Sequence, residues 1–214
     1  LVAGVRITAD LDDIPFKIRK QLYKNNYEKG ELTLVRQAIR ADDRVLEVGA
    51  GIGFISIACA KIVGPDNVLS YEPNPSMKRV IEKNYRLNGL TPNLRNKVLA
   101  VSEGEAEFYF SDNVLSSSLI DRDHGGKTTV AADSIRQVVE DYRPTAIVMD
   151  VEGAETELLR NCDLSGVSKI VIEMHPHIVG QAAIDDLADH LAGLGNENVL
   201  HIADVDVFLL RAGL

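Results

Sequence analysis

Tryptophan is absent from this chain of 214 residues, and cysteine is nearly so, with only Cys59 and Cys162. Two thiols cannot build a disulfide framework. Cys59 lies in an apolar stretch that suits a free buried thiol, so a reducing, cytoplasmic compartment is expected. No apolar run reaches the ~18 residues of a membrane span, and Leu1 to Ile7 lacks the basic and then apolar pattern of a secretory leader. A basic excess is missing too: 32 acidic side chains against 23 basic ones leave a net charge of −9. That field repels a phosphate backbone and argues against nonspecific nucleic-acid binding. The acidity is uneven, since residues after 107 hold 18 of the acidic groups and only 7 of the basic ones. Repeats, linkers and low-complexity tracts are lacking as well. The expectation is one domain over residues 41–214, preceded by an N-terminal helical cap over 1–40.

From residue 44 onward, short β-branched runs alternate with longer stretches of helical spacing, the signature of a parallel sheet covered by helices. Strands are expected at Arg44–Val48, Asn67–Tyr71, Lys97–Val101, Ala146–Met149 and Lys169–Met174, with Ala106–Phe110 added beside the third. Helices are expected at Phe54–Val63, Ser76–Asn88, Ser134–Glu140, Glu155–Asn161 and Ile184–Leu194. Ser111–Thr129 reads as a loop. Only Ala203 and Asp204 separate Asn198–Ile202 from Val205–Leu210, too short a gap for a crossover, so an antiparallel hairpin must end the sheet. Pro15–Tyr23 and Glu31–Ile39 suggest two capping helices. The predicted fold is α/β: a mostly parallel, Rossmann-like, seven-stranded sheet with helices on both faces.

The most informative segment is Val45 to Gly53, an apolar strand running into glycines at 49, 51 and 53 and then into a helix. The dinucleotide fingerprint needs its third glycine five positions after the first; here it falls at four, and Phe54 occupies the expected place. That spacing disfavours NAD and FAD. Glu47 puts a carboxylate at the strand end, where it repels a pyrophosphate but suits an ammonium or sulfonium charge. Glu72, at the end of the second strand and just before Pro73, is placed to accept hydrogen bonds from two ribose hydroxyls. Together the two acids point to S-adenosyl-L-methionine.

These residues resemble the class I methyltransferases, and more narrowly the FkbM family of S-adenosylmethionine-dependent O-methyltransferases. The resemblance runs from Tyr27-Glu28 through Val45–Gly53, Glu72-Pro73-Asn74-Pro75, Ala100-Val101-Ser102 with Gly104 and Phe108, and Asp133-Ser134-Ile135. It continues through Asp150-Val151-Glu152-Gly153-Ala154-Glu155 and Ile172-Glu173-Met174-His175-Pro176. The chain departs from the pattern in carrying Glu47 where family members usually have Asp, and Gly51 where they have Asn. The resemblance implies a reversed last strand, the cofactor over the C-terminal ends of the first strands, and methylation of a hydroxyl on a sugar or small metabolite. The cofactor-binding set is then Glu47, Gly49, Ala50, Gly51, Gly53, Glu72, Pro73, Val101 and Asp150.

A second cluster is read from the strands themselves. Ala146–Met149 ends in Asp150-Val151-Glu152, and Ile170–Ile172 ends in Glu173-Met174-His175. Both ends emerge at the sheet edge that carries the glycine loop, where ligands of open α/β sheets bind. Methyl transfer to a hydroxyl needs alignment and a base, so Asp150, Glu152, Glu173 and His175 are the candidate catalytic residues. His175 is the preferred base, oriented by Glu173 or Asp150. A helix-capping role competes for Asp150 and Glu152. A divalent cation on these carboxylates is a less favoured alternative, because the spacing of a dedicated transition-metal site is missing. The expected partner is a small-molecule or glycan acceptor rather than nucleic acid or membrane. N-methylation and a non-catalytic nucleoside-binding module are the rival readings.

Overall fold

The structure, a computed structural model, describes residues 1–109, 127–202 and 205–210. Helices α1 (Phe16–Tyr23) and α2 (Lys29–Ala38) precede the first strand, β1 (Val45–Val48). Then come α3 (Phe54–Val63), β2 (Val68–Tyr71), α4 (Pro75–Leu87), β3 (Leu94–Arg95), β4 (Val98–Ala100), β5 (Gly104–Tyr109) and β6 (Lys127–Ser134). The chain continues through α5 (Ile135–Tyr142), β7 (Ala146–Met149), α6 (Glu155–Arg160), β8 (Lys169–Glu173), α7 (Pro176–Val179), α8 (Gln181–Gly193), β9 (Asn196–Ile202) and β10 (Val205–Leu210).

The main sheet has the order β3-β2-β1-β7-β8-β10-β9. Its first five strands run parallel, β10 runs antiparallel to β8, and β9 closes the hairpin. Period-two alternation divides the strand side chains between two cores. Val45, Val68, Ala146, Val148 and Val171 pack with residues of α1 to α4, while Leu46, Leu69, Ile147, Met149 and Ile170 pack on the opposite face with residues of α5, α6 and α8. This is an α/β class I methyltransferase fold. The local signals explain its elements: Asn74 accepts from the Ser76 amide at 3.0 Å at the start of α4, Pro75 opens the helix, and Met77, Val80, Ile81 and Tyr85 form its buried stripe.

Two parts differ from expectation. The third strand of the main sheet is the short Leu94–Arg95 pair, whereas Val98–Ala100 belongs to a separate sheet of order β4-β6-β5. Strand β6 overlaps the end of the segment expected to be a loop. Its polar Lys127-Thr128-Thr129 start pairs with β5, and Ala132-Asp133-Ser134 pairs in parallel with β4. Ala106–Tyr109 therefore lies beside β6 rather than beside the third strand. Four-residue α7 also went unforeseen, being too short to show periodicity. Most of the Ser111–Thr129 loop, including Ser116–Ser118 and His124, lies outside the described residues.

Residues 1–40 lie against α3 and α4. Ile14, Ile18, Leu22 and Leu34 share the core that contains Ile57 and Ile81, and Thr8 N donates to Asn84 Oδ1 at 2.8 Å. Arg79 and Lys83 of α4 reach from the surface to the buried carboxylate of Asp13 at 2.5 and 2.6 Å. Among the described residues no helix is long and apolar enough to cross a membrane.

The point of closest approach lies where β1 and β7 end. Gly49 has φ +93°, and a Cβ placed on it would lie 1.8 Å from the Asp150 carbonyl oxygen. This glycine is therefore required by a crossing of two strand ends as well as by any ligand above it. Gly49→Ala combines a backbone clash with a left-handed conformation, so it is expected to destabilise the fold by more than about 3 kcal/mol. Denaturant titration checks this; a loss under about 1 kcal/mol would contradict it.

Candidate active site

The C-terminal ends of β1, β2, β7 and β8 open into a cavity of about 270 Å³. Gly49 and Gly51 supply backbone from the loop after β1, and Glu72 and Pro73 follow β2. Asp150, Val151 and Glu152 follow β7, and Glu173 ends β8. Tyr71, Val98, Leu99 and Phe108 form an apolar wall, and Tyr27 and Glu28 approach from the turn before α2.

Glu72 has a more particular setting than its position at a strand end revealed. One carboxylate oxygen accepts from the Gly51 amide and the other from the Asn74 amide, each at 2.8 Å, so the side chain ties the glycine loop to the start of α4. Burial nevertheless pushes its pKa up to about 7, against those backbone bonds. Glu47 sits differently from the expectation. It is 2% exposed, accepts a hydrogen bond from Ser56 Oγ beneath the glycine loop, and is not among the residues lining the cavity. Its Oε1 has no hydrogen-bond partner, and burial raises its pKa to about 7. Ala50, Gly53 and Val101 also lie outside the lining. Gly53, with φ +80°, opens α3, where a Cβ would meet Ile81 Cγ2 at 3.2 Å.

The four acceptor-side candidates converge. His175 Nε2 faces Asp150 Oδ1 at 3.5 Å, Glu152 Oε2 at 3.8 Å and Glu173 Oε1 at 3.9 Å. The ring is held from the other side by Glu155, whose Oε1 lies 2.7 Å from Nδ1 and also accepts from the Gly153 amide. Sequence reasoning assigned that orienting role to Glu173 or Asp150 and missed Glu155. The available signal was that Glu155 stands five residues after Asp150, in the first turn of a helix reaching back toward the same edge. Glu152 has φ +55°, a left-handed conformation uncommon for a residue with a side chain, and Glu28 has φ +44°. Two acids of the cavity thus sit on strained backbone, as residues at functional sites often do.

His175 is 5% exposed and lies behind the carboxylates, outside the cavity lining. Burial alone would lower its pKa, but the Glu155 hydrogen bond and the charges of Asp150, Glu155 and Glu152 outweigh it and raise the value to about 9. The surrounding carboxylates thus favour the protonated imidazole more strongly than the near-neutral titration expected for it. Burial, followed by the charge of Glu173, pushes Asp150 up to about 8. Burial, the largest cause, likewise raises Glu28 to about 8 and lifts Glu31 well above the usual carboxylate range. Among the described residues, none of Glu28, Glu31, Glu47, Glu72 and Asp150 has a Lys or Arg ion partner.

The chain belongs to the TRM5/TYW2 methyltransferase domain family, whose profile matches residues 3–120. Its cofactor is S-adenosyl-L-methionine. The matched stretch contains the glycine loop and Glu72 but ends before Asp150. A hexuronic acid methyltransferase, AglP of Haloferax volcanii, is 28% identical over 153 residues, covering 69% of this chain and 62% of that protein. A protein-lysine N-methyltransferase of Chaetomium thermophilum, EFM3, is 27% identical over 77 residues, covering 36% of this chain and 23% of that one. The chain thus spans less than two thirds of the length of these relatives. Two solved structures share the fold. A precorrin-6y C5,15-methyltransferase from Geobacter metallireducens has TM-score 0.52 and 14% identity, over 98% of this chain and 97% of its own. Methyltransferase FkbM from Methylobacillus flagellatus has TM-score 0.50 and 12% identity, over 95% and 56%.

The donor set suits S-adenosylmethionine. The Glu72 carboxylate lines the cavity, glycine backbone is open to close approach, and the orphaned Asp150 Oδ1 is matched to positive charge. The same burial of acids has a measurable consequence for the ligand-free protein. A carboxyl whose pKa rises on folding contributes stability that is whole below the unfolded value, 4.5 for Glu, and is lost as pH climbs through the folded value, about 7 for Glu47. Denaturation midpoints should therefore fall between about pH 5 and pH 8, with Glu47 alone accounting for on the order of 3 kcal/mol. Glu47→Gln is expected to flatten that fall; an unchanged pH profile would show that Glu47 ionises freely in the fold.

Proposed function

We propose that this protein transfers the methyl group of S-adenosylmethionine to a hydroxyl oxygen of a sugar or small metabolite, in keeping with its likeness to the FkbM methyltransferases. One observation carries the reading: a single cavity joins the Glu72-tethered glycine loop to the carboxylates of Asp150, Glu152 and Glu173. The sugar-modifying activity named for the Haloferax relative supports the acceptor class.

When bound, the cofactor supplies a methyl group already activated on a sulfonium, so that a neutral thioether leaves in an in-line displacement. The chain's residues supply alignment and proton removal. Gly49 and Gly51 would bring backbone close to the cofactor, Glu72 would accept from its ribose hydroxyls, and Val98, Leu99 and Phe108 would offer an apolar wall for its purine. Asp150, Glu152 and Glu173 would face the acceptor, and one of these carboxylates would take the single hydroxyl proton as the C–O bond forms and the methyl–sulfur bond breaks. His175, set behind them and fixed by Glu155, acts as a positioning residue, because it does not line the cavity.

Calorimetric titration with S-adenosylhomocysteine is expected to show micromolar binding. Glu72→Ala should weaken it at least tenfold while costing about 1–3 kcal/mol of stability through the two lost backbone hydrogen bonds. Radiolabelled cofactor should then methylate sugars or uronic acids to give products stable to mild base, as ethers are. A base-labile product would be an ester and would overturn the hydroxyl reading. Label appearing only on amines would favour N-methylation. Failure of the folded protein to bind S-adenosylhomocysteine would overturn the enzyme reading altogether.

A further inference from the structure

The environment of His175 Nε2 goes beyond what a methyltransferase cavity needs. The ring side chain is 6% exposed, and its other nitrogen is engaged by Glu155 at 2.7 Å. Nε2 makes no hydrogen bond, yet it points at carboxylate oxygens of Asp150, Glu152 and Glu173 at 3.5, 3.8 and 3.9 Å. Asp150 Oδ1, the nearest of them, is buried and has no hydrogen-bond partner. A nitrogen lone pair facing three carboxylates is repulsive unless positive charge lies between them, and the candidates are a proton on Nε2 and a metal ion.

We propose that Asp150, Glu152 and His175 bind a divalent cation at the wall of the cavity. One donor atom from each lies within 4.8 Å of the others. Donors that share a cation at bond lengths of about 2.1 Å sit about 3.0–3.4 Å apart, so side-chain movements of up to about 1.4 Å close the set. The Glu155 contact is the outer-shell carboxylate that metal-binding histidines commonly engage through their second nitrogen, fixing the ring so that Nε2 faces the ion. The strained left-handed backbone at Glu152, φ +55°, brings its carboxylate to the same point. One imidazole with two carboxylates suits Mn²⁺ and its neighbours better than a thiophilic ion. Asp150 and Glu152 both line the cavity, so the open coordination positions face the acceptor. A consequence that rests on the methyltransferase reading is that acceptors offering two adjacent oxygens, a vicinal diol or a hydroxy acid, are favoured, with Glu173 left to take the proton.

The test uses untagged, chelator-stripped protein titrated with Mn²⁺ and followed by the loss of the free-ion electron paramagnetic resonance signal. One equivalent is expected to bind. Affinity should fall at least tenfold in Glu152→Gln and His175→Ala, and about tenfold in Glu155→Gln. Thermal transitions establish that each variant is folded, and Glu152→Gln, at the cavity wall, serves if His175→Ala is not. A wild-type protein that binds S-adenosylhomocysteine but leaves both Mn²⁺ and Zn²⁺ free at millimolar concentration would overturn the cation site and assign the charge to a proton, with the methyltransferase reading intact. Binding indifferent to Glu152→Gln and, where it folds, His175→Ala would overturn it equally.

Discussion

Desolvated carboxylate charge at one edge of the sheet is the constraint on which the rest of this structure depends. Glu28, Glu47, Glu72 and Asp150 are held at the ends of β1, β2 and β7 or in the turn before α2, and burial raises the pKa of each. A protein tolerates such an arrangement only where something positive is to be bound or where the groups are protonated. The parallel sheet creates the site, because its strand ends fan out at one edge and the helices that follow leave a crevice between them. The close crossing of Gly49 over the Asp150 carbonyl brings the glycine loop and the acids that follow β7 into one cavity.

The acidic edge also divides the labour within the site. Glu72 is satisfied by two backbone amides and is therefore fixed before any ligand arrives, which is the preorganisation that orientation-driven catalysis needs. The carboxylates after β7 and β8 gather around His175, whose position follows from Glu155 in the first turn of α6. Residues that line the cavity and residues that hold them are thus separate sets. Fold alone does not establish an activity; in this chain both sets are present together around one cavity.

Much of this was legible in the sequence because it depends on local pattern. The fully buried runs Val45–Val48 and Ala146–Met149 had to be interior parallel strands, and the two-residue gap at Ala203-Asp204 required the antiparallel hairpin. The separate three-stranded sheet was not legible, since Val98–Ala100 carries the same apolar signal whether it pairs with β2 or with β6, and β6 begins on polar residues that resemble a loop. Spacing placed Asp150, Glu152, Glu173 and His175 on one edge but carried no information about which faced the ligand. His175 and Glu47 went behind and beneath the cavity because their partners, Glu155 and Ser56, stand on helices whose docking is a tertiary outcome.

The most direct test of the account is a crystal structure of the protein with S-adenosylhomocysteine. The account predicts the ribose hydroxyls on Glu72, the homocysteine end over Gly49 and Gly51, and the sulfur turned toward Asp150 and Glu152. Ligand bound elsewhere, or a cavity left empty by an ordered protein at saturating ligand, would contradict it.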